Sequence, residues 1–343
     1  MAPLTHTPHY PSASRIRALL KRARSSRILV IGDVMLDQFI WGHVGRISPE
    51  APVPIVDFER ESFIPGGAAN VGRNLAALGC QTAIYSVVGQ DRAGDQLHNL
   101  LSAQKVNCRH LLRHPQRSTS IKTRIVAHRQ QVVRVDRESK DPLDEAATRG
   151  LMAAIARDIP NSDAVIVGDY GKGIISQPLL NDLKTLCRDH GVWLSLDPKP
   201  VHHLNLQGLS LITPNRKEAF ELAGMAETPR ARDPLRDQGL RTVAKTLFRS
   251  LSPALLLVTL GEQGMLLCQH DSPPVHIPTV AQEVFDVSGA GDTVIACFTL
   301  AIVSGASPIE AALLSNHAAG VVVGKVGTAV VTPEEISRSV ARG

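Results

Sequence analysis

Short apolar segments alternate along this chain with longer segments whose apolar residues recur at helical spacing. The apolar segments lie at residues 28–32, 82–88, 164–168, 193–197, 209–213 and 255–260. A short apolar segment bounded by turn residues is typical of a strand buried on both faces, and an intervening helix is typical of a right-handed β-α-β crossover. The pattern therefore predicts a three-layer α/β fold, in which a mainly parallel sheet has helices on both faces and binds ligands at the carboxyl ends of its strands.

Two regions interrupt this alternation. Residues 38–63 and 120–138 contain more alternating apolar and polar positions, and 123–127 with 132–136 predicts a hairpin around Arg129. These regions predict a small β-sheet inserted as a lid. Because a sheet of few strands with one apolar face is unstable alone, we expect the lid to cover the substrate and to pack against a second copy of the chain, giving a homodimer.

The first residues of the chain are basic. Before Asp33 there is no acidic residue, which is a feature of transit peptides, but Ile16, Leu19 and Ala23 recur at helical spacing. We therefore expect a basic helix that covers one edge of the sheet. The longest apolar run, residues 294–303, is far shorter than the roughly 20 residues of a membrane span, so no membrane segment is expected.

Composition narrows the class of protein. With 343 residues and 43% hydrophobic content, the chain has the length of one large α/β domain, residues 1–343, that includes both lid inserts. The net charge is +5, but aromatic residues are only 3% and do not interleave with the basic ones. We therefore expect phosphorylated small molecules rather than nucleic acid as partners.

Cysteine and histidine spacing indicates neither a disulfide framework nor a zinc site. The five cysteines are odd in number, far apart, and form no C-x-x-C pair, which favours a reducing cytoplasmic location. His110 and His114 are four residues apart, but no glutamate lies between them and Pro115 follows, so we interpret them as surface residues.

Residues 286–293, D-V-S-G-A-G-D-T, form the most informative motif. Gly289 and Gly291 allow a tight bend whose N–H groups converge, and the apolar helix that follows adds the positive end of its dipole, so the position favours a phosphate. Asp292 beside this phosphate suits a base that takes the proton from an attacking sugar hydroxyl. The alternative is that Asp292 only caps the helix.

Two earlier segments carry groups that suit a sugar. Asp33 and Asp37 follow the first predicted strand, where carboxylates accept hydrogen bonds from hydroxyls; the alternative is a pair of solvated turn residues. Gly66 and Gly67 permit close approach at a helix start, and the amide of Asn70 both donates and accepts. An ordinary helix entry is the alternative for the glycines.

Residues 286–293 resemble the C-terminal signature of the ribokinase/PfkB family of carbohydrate kinases, and residues 65–70 with Asp37 resemble its N-terminal signature. The resemblance covers nearly the whole chain from about Arg27. It implies a ribokinase-like fold, with Asp292 as the catalytic base and the amides of Gly289, Ala290 and Gly291 holding the transferring phosphoryl group. It also implies sugar binding by Asp37 and Asn70. Val287 replaces a common threonine near the family's monovalent-cation environment, so a monovalent cation requirement stays open.

The same resemblance implies a nucleotide site. Asn215 and Glu218 match the family's N-x-x-E motif, which holds water-bound Mg²⁺ beside the phosphates of ATP; the alternative of a helix cap is compatible with that role. The T-L-G-E-x-G turn is similar to the one that receives the ribose and phosphates of ATP, and a later asparagine matches the residue at the adenine edge. The residues concerned are Thr259, Gly261, Gly264 and Asn316.

Residues 32–37, 45–54, 169–173 and 197–199 are similar to the family's D-glycero-β-D-manno-heptose 7-phosphate kinases, which phosphorylate the anomeric hydroxyl during assembly of ADP-heptose for lipopolysaccharide. A kinase for a sugar that already carries a phosphate needs cations at the far end of its site.

Lys172, after a predicted strand, and Arg124, in the predicted lid, are the candidates for that distal phosphate. Arg113, Arg134 and Arg137 are second choices, and a solvent-facing position is the alternative for each lid arginine. Because the chain ends at Gly343 without an H-x-G-H nucleotidyltransferase motif, we expect a stand-alone kinase whose product is the 1,7-bisphosphate. The other hypotheses are a fructose 6-phosphate or ribose kinase of the same family, and a non-catalytic sugar sensor.

Overall fold

The apolar segments form the centre of a nine-stranded sheet in the computed structural model, which describes residues 11–128 and 130–342. Arg129 and Gly343 lie outside the described residues. The strands are β1 Arg27–Gly32, β2 Val34–Ile47, β3 Pro54–Gly67, β4 Gln81–Gly89, β5 Asn107–His114, β6 Ile121–Ala127, β7 Gln130–Arg137, β8 Ala164–Gly168, β9 Trp193–Asp197, β10 Leu211–Ile212, β11 Leu255–Thr259, β12 Met265–Gln269 and β13 Val275–Ile277. The α-helices are α1 Ala13–Ala23, α2 Ala68–Ala77, α3 Arg92–Ala103, α4 Glu145–Asp158, α5 Gln177–Asp189, α6 Arg216–Leu222, α7 Gln238–Leu251, α8 Ala290–Val303, α9 Pro308–Val323 and α10 Pro333–Arg342.

The large sheet has the order β13-β12-β11-β10-β9-β8-β1-β4-β5. All pairs from β11 to β5 are parallel, and β12 and β13 add antiparallel strands at one edge. The predicted mainly parallel sheet is confirmed, although the segment at 209–213 forms only the two-residue strand β10. The sequence pattern did not reveal the edge strands β5 and β13, which are buried less completely than the central strands. It also did not reveal β12, although the first four residues of that strand are buried.

The central strands are apolar at every position because each one contributes to two cores. In β1, Ile28 and Val30 pack with helices α1, α2, α3, α8 and α9, whereas Leu29 and Ile31 pack with α4, α5, α6 and α7. The sheet is therefore covered on both faces, as its pattern predicts.

A second sheet, with the order β3-β2-β6-β7, confirms the predicted small β-sheet. Strands β2 and β3 are antiparallel, β2 and β6 parallel, and β6 and β7 form the predicted hairpin. β2 begins directly after β1 and β3 leads directly into α2, so one end of this β2–β3 pair is tied to the large sheet and the other to a helix that packs on it.

The expected position of helix α1 was wrong. Helix α1 forms as predicted, but it packs against α8 and α10 rather than along an edge of the sheet, which is formed by β13 and β5. Its Arg15 is 2.8 Å from Glu310 at the start of α9. Within the described part of the chain, no helix is both long and apolar enough to cross a membrane.

His110 and His114 lie on β5 and are half-buried rather than surface residues. The His110 ring stacks on Tyr85, with 4.9 Å between ring centroids, and its Nε2 is 3.4 Å from Asp158. His114 Nε2 lies 2.7 Å from Asp144. Each histidine therefore has an aspartate partner that anchors α4 to the edge strand.

Candidate active site

The N-terminal turns of α2 and α8 meet at a buried pair of polar side chains. Asn70 Nδ2 donates a 2.8 Å hydrogen bond to Asp292 Oδ2, and Asp292 is only 7% exposed. Helix α8 begins after Gly289, whose φ of +77° favours glycine. A Cβ at this position would also lie 2.5 Å from Asn70 Nδ2, so the glycine permits the two motifs to approach each other.

Asp292 has a second donor that the sequence did not reveal. The hydroxyl of Tyr170, in the loop after β8, donates a 2.5 Å hydrogen bond to Asp292 Oδ1. Burial raises the pKa of Asp292, while the hydrogen bonds from Tyr170 and Asn70 lower it in part. A buried carboxylate with two donors and a raised pKa has the chemistry of a general base or acid.

The lid contributes Asp37 and Arg124 to the same region. Arg124 Nη1 is 2.6 Å from Asp37 Oδ1, and both side chains are largely buried. Gly66 lies against this carboxylate so closely that a Cβ would be 2.3 Å from Asp37 Oδ2. The predicted residues Asp37, Gly66 and Arg124 are therefore in contact, with carboxylate and guanidinium groups that suit a polyhydroxyl ligand.

Lys122 lies next to this pair, and the charge of Lys172 in turn acts on Lys122. Lys172 Nζ is 2.6 Å from Glu138 Oε1, and both side chains are buried. Lys122 is paired with Asp37 in the β2–β6 register; burial, followed by the charge of Lys172, lowers its pKa. Lys122 was missed from the sequence because only the register of the lid places it on the same face as Asp37.

The second-choice arginines have other partners. Arg113 is 2.7 Å from Asp95, and Arg134 is 2.9 Å from Asp136; both arginines are partly exposed. Arg137 is among the groups that lower the pKa of Asp91. The cationic group beside Asp37 consists instead of Lys122, Arg124 and Lys172.

Asp33 lies beneath the loop that follows β8 and is 1% exposed. Its carboxylate accepts hydrogen bonds from the backbone N–H groups of Tyr170, Lys172 and Ile174 at 2.9, 3.0 and 3.1 Å. Both oxygens are thus engaged with the backbone, so Asp33 anchors this loop, and the role of substrate ligand that the sequence suggested stays a prediction.

The predicted nucleotide residues line one cavity of about 510 Å³. Thr259, Gly261, Gly264 and Asn316 are all on its wall, together with Ala290 and Gly291 of the α8 N-terminus. Apolar side chains, including Val284, Ala319 and Val323, complete the lining.

An apolar cavity with a helix N-terminus at one side suits a flat base joined to phosphates. Asn316 is buried rather than solvent-facing, and its Nδ2 donates to the Pro278 carbonyl at 2.7 Å.

Asn215 and Glu218 form the capping box of α6. Asn215 Oδ1 accepts from the Glu218 N–H, and Glu218 Oε2 accepts from the Asn215 N–H, both at 3.0 Å. Asn215 also bridges to Thr259, which lines the cavity, and Glu218 Oε1 lies 3.6 Å from Lys199 Nζ. The cap is therefore confirmed, and the free acceptor positions on these oxygens suit a hydrated Mg²⁺ ion held through its waters.

A third acidic side chain, Asp197, interacts electrostatically with both Glu218 of this capping box and Asp292. The pKa of Asp197, at the end of β9, is raised well above its usual value by burial, and the charges of Glu218 and Asp292 raise it further. Over residues 11–128 and 130–342, no three His, Cys, Asp or Glu side chains come together as a metal site.

Comparison with known proteins places this geometry among sugar kinases. The family model described as pfkB family carbohydrate kinase matches residues 25–335. The Bifunctional protein HldE of Citrifermentans bemidjiense is 41% identical over 328 residues, covering 96% of this chain and 66% of the relative. The protein of the same name from Geotalea uraniireducens is 42% identical over 321 residues, covering 94% and 64%. The chain thus spans just under two thirds of the length of these curated relatives.

Solved structures share the fold. A ribokinase from Arabidopsis thaliana, complexed with ribose and ATP, has a TM-score of 0.72 at 19% identity, covering 92% of this chain and 98% of that chain. Phosphofructokinase-2 from Escherichia coli, in complex with substrates and products, has a TM-score of 0.75 at 19% identity with the same coverage. The predicted ribokinase-like α/β fold is confirmed.

Proposed function

The chain belongs to the pfkB family of carbohydrate kinases and is an ATP-dependent sugar kinase, and on that premise we propose that its acceptor is D-glycero-β-D-manno-heptose 7-phosphate. The product would be the 1,7-bisphosphate, an intermediate on the route to ADP-heptose for the lipopolysaccharide core. The similarity of residues 32–37, 45–54, 169–173 and 197–199 to heptose 7-phosphate kinases supports this substrate.

The observation that carries the proposal is the cationic group beside Asp37. Lys122, Arg124 and Lys172 are buried or partly buried at the lid end of the site, where a sugar that is already phosphorylated needs positive charge. Arg124 and Lys172 are paired with Asp37 and Glu138. These carboxylates hold the two cations in place and offset their charge. The positively charged side chains are therefore already in position before a phosphate binds.

At the other end of the sugar, Asp292 accepts the proton of the anomeric hydroxyl as that oxygen attacks the γ-phosphorus of ATP. The bond from this phosphorus to the bridging oxygen of the β-phosphate breaks, and ADP leaves. Asp37 and Asn70 hydrogen-bond the sugar hydroxyls. The backbone N–H groups at Gly289, Ala290 and Gly291 hold the transferring phosphoryl oxygens at the positive end of the α8 dipole.

The nucleotide occupies the cavity beside this helix. Thr259, Gly261 and Gly264 receive the ribose and phosphates, and Asn316 lies at the adenine edge. Asn215 and Glu218 would hold Mg²⁺ through water, and the ion would supply positive charge to offset the ATP phosphates. A monovalent cation requirement near Val287 is tested by comparing turnover with and without potassium.

We also propose that the protein is a homodimer through the lid. Val133 and Val135 are 45% and 55% exposed, and strand alternation places them on the face of the lid opposite Asp37 and Arg124. A second copy would cover this face.

The five cysteines are all buried and free, which suits the reducing cytoplasm.

Another sugar or phosphosugar kinase activity is the alternative, with fructose 6-phosphate or ribose as acceptor. ADP release should be measured with ATP and Mg²⁺ against heptose 7-phosphate, fructose 6-phosphate and ribose at equal concentrations. The proposal requires the highest kcat/KM for heptose 7-phosphate. A higher value for either of the others reassigns the acceptor, and absence of ATP turnover with all three would favour a sugar sensor.

A further inference from the structure

Tyr170 connects two parts of the site that lie far apart in sequence. Its hydroxyl is bonded to Asp292 Oδ1, while its backbone N–H is bonded to Asp33 Oδ2 at 2.9 Å. It is one of three tyrosines in the chain, and nothing in the periodicity around it distinguishes it from an ordinary residue after a strand.

The loop that carries Tyr170 is held at several points. Asp33 accepts three backbone hydrogen bonds from it. Asp169 accepts from the Gly171 N–H at 3.1 Å, and its other oxygen lies 2.9 Å from His202 Nδ1. The ring of Tyr170 packs on bare backbone, since a Cβ on Gly168 would lie 2.9 Å from its Cε2. The phenol therefore reaches Asp292 from a fixed support rather than from a mobile loop.

We propose that Tyr170 is a positioning residue for Asp292, whose hydroxyl holds the carboxylate in one orientation and in its ionised form before phosphoryl transfer. This inference rests on the proposed role of Asp292 as the base. An ionised carboxylate has about four acceptor positions on its two oxygens. Asn70 and Tyr170 occupy one on each oxygen, which fixes the plane of the carboxylate and leaves further positions for the sugar hydroxyl.

The charges around Asp292 explain why such a donor matters. Burial and the carboxylate of Asp37 on β2 raise the pKa of Asp292, and Asp197 at the end of β9 is a further acid coupled to it. Arg73 on α2 lowers the pKa of Asp292 less than the hydrogen bonds from Tyr170 and Asn70. Without a donor from the loop, the proton would stay on Asp292 to higher pH and the base would be lost.

Tyr170 is suited to act only as a donor. Burial and the neighbouring charge of Asp292 raise the pKa of the Tyr170 phenol well above its usual value, so it keeps its proton throughout the neutral range. Removing only this hydroxyl should leave the ring packing intact.

The test is Tyr170→Phe, assayed by the pH dependence of kcat/KM for heptose 7-phosphate at saturating ATP. Removal of a donor raises the pKa of Asp292, so the acid limb of the profile should move to higher pH by about one unit or more, a change of about tenfold in the protonation equilibrium. The KM for ATP should change by less than about twofold, because the nucleotide cavity is untouched. An unmoved acid limb in a folded, active variant overturns the inference.

Tyr85→Phe is the matched control. Tyr85 is also a buried tyrosine that donates to an aspartate, Asp158, but it lies on β4 beside His110. The Tyr85→Phe substitution should lower the unfolding temperature of the protein without moving the pH dependence of kcat/KM. An equal shift in both variants would show that the effect is general destabilisation and would reject the inference.

A second measurement separates this inference from the proposed substrate. In protein labelled with ¹³C at the aspartate carboxyls, the Asp292 resonance is identified by its loss in Asp292→Asn. Without any sugar, the titration midpoint of the Asp292 carboxyl should rise in Tyr170→Phe. It should fall in the wild-type chain that carries 3-fluorotyrosine, because the fluorinated phenol is a stronger hydrogen-bond donor. If heptose 7-phosphate is not turned over but both midpoints move, only the substrate assignment fails. If neither moves, the role of Tyr170 fails.

Discussion

Asn70 Nδ2 donates a 2.8 Å hydrogen bond to Asp292 Oδ2 and so joins two residues that are 222 positions apart in the sequence. The amide belongs to the first turn of α2 and the carboxylate to the first turn of α8. This contact brings the predicted sugar-binding motif against the predicted phosphate-binding motif. A sugar hydroxyl that is hydrogen-bonded to Asn70 therefore also lies close to the Asp292 carboxylate, and proton abstraction by Asp292 requires this closeness.

Asp292→Asn should lower kcat by about 10²-fold or more, the usual range for loss of a general base, because an amide cannot take the proton of the attacking hydroxyl. ATP affinity should be largely unchanged, since the nucleotide cavity keeps its lining. Steady-state ADP release gives kcat, and calorimetry gives ATP affinity. A folded variant with near-normal kcat would remove Asp292 from the mechanism.

Lys172→Ala and Arg124→Ala should each weaken sugar-phosphate binding by about 1.5–3 kcal/mol, the contribution of one charge-assisted hydrogen bond, and should affect ATP binding much less. Calorimetry with heptose 7-phosphate measures this loss. Arg149→Ala is the control, because Arg149 is exposed on α4 and contacts only Glu145 among the ion pairs described. Unchanged sugar-phosphate affinity in both site variants would contradict the placement of the distal phosphate.

Gly66→Ala should raise the KM for the sugar substrate by about tenfold or more, because the new Cβ would lie 2.3 Å from Asp37 Oδ2 and would displace that carboxylate. The KM for ATP should stay within about twofold. Gly150→Ala is the matched control: it has no atom within 4 Å of its Cβ on helix α4, and should raise stability by up to about 1 kcal/mol. Equal kinetics for the two variants would argue against Asp37 as a sugar ligand.

Ala319→Leu should raise the KM for ATP by about tenfold, because the larger side chain occupies part of the cavity that we assign to the nucleotide. Sugar-phosphate affinity measured without nucleotide should be retained, since Ala319 does not line the lid end of the site. Calorimetry with each ligand separately distinguishes these effects. Normal ATP affinity in this variant would place the adenine elsewhere.

The lid dimer predicts a particle of about twice the 36.9 kDa chain mass in light scattering at micromolar concentration. Val135→Glu should shift the protein towards the monomer, because burying an unpaired carboxylate in an apolar interface is unfavourable. Val201→Glu, at an exposed valine outside the lid, provides the control and should leave the mass unchanged. A wild-type mass near that of one chain would refute the dimer.

Several features follow from local sequence alone. The all-apolar strands and the helical segments between them predict the covered parallel sheet, because a strand such as β1 must present apolar side chains to two cores. The turn before α8 also follows, since Gly289 must adopt a positive φ there. The cap of α6 by Asn215 depends only on residues within one helical turn, and it forms as predicted.

The tertiary structure decided the contacts between these segments. It directed the Asp33 carboxylate to the loop after β8, brought the Tyr170 hydroxyl to Asp292, and placed Lys122 beside Asp37 through the lid register. It also packed α1 against helices rather than a sheet edge. The periodicity of apolar residues predicts which face of a helix or strand is buried. The partner of a polar side chain depends instead on which distant segment the fold brings within hydrogen-bond distance.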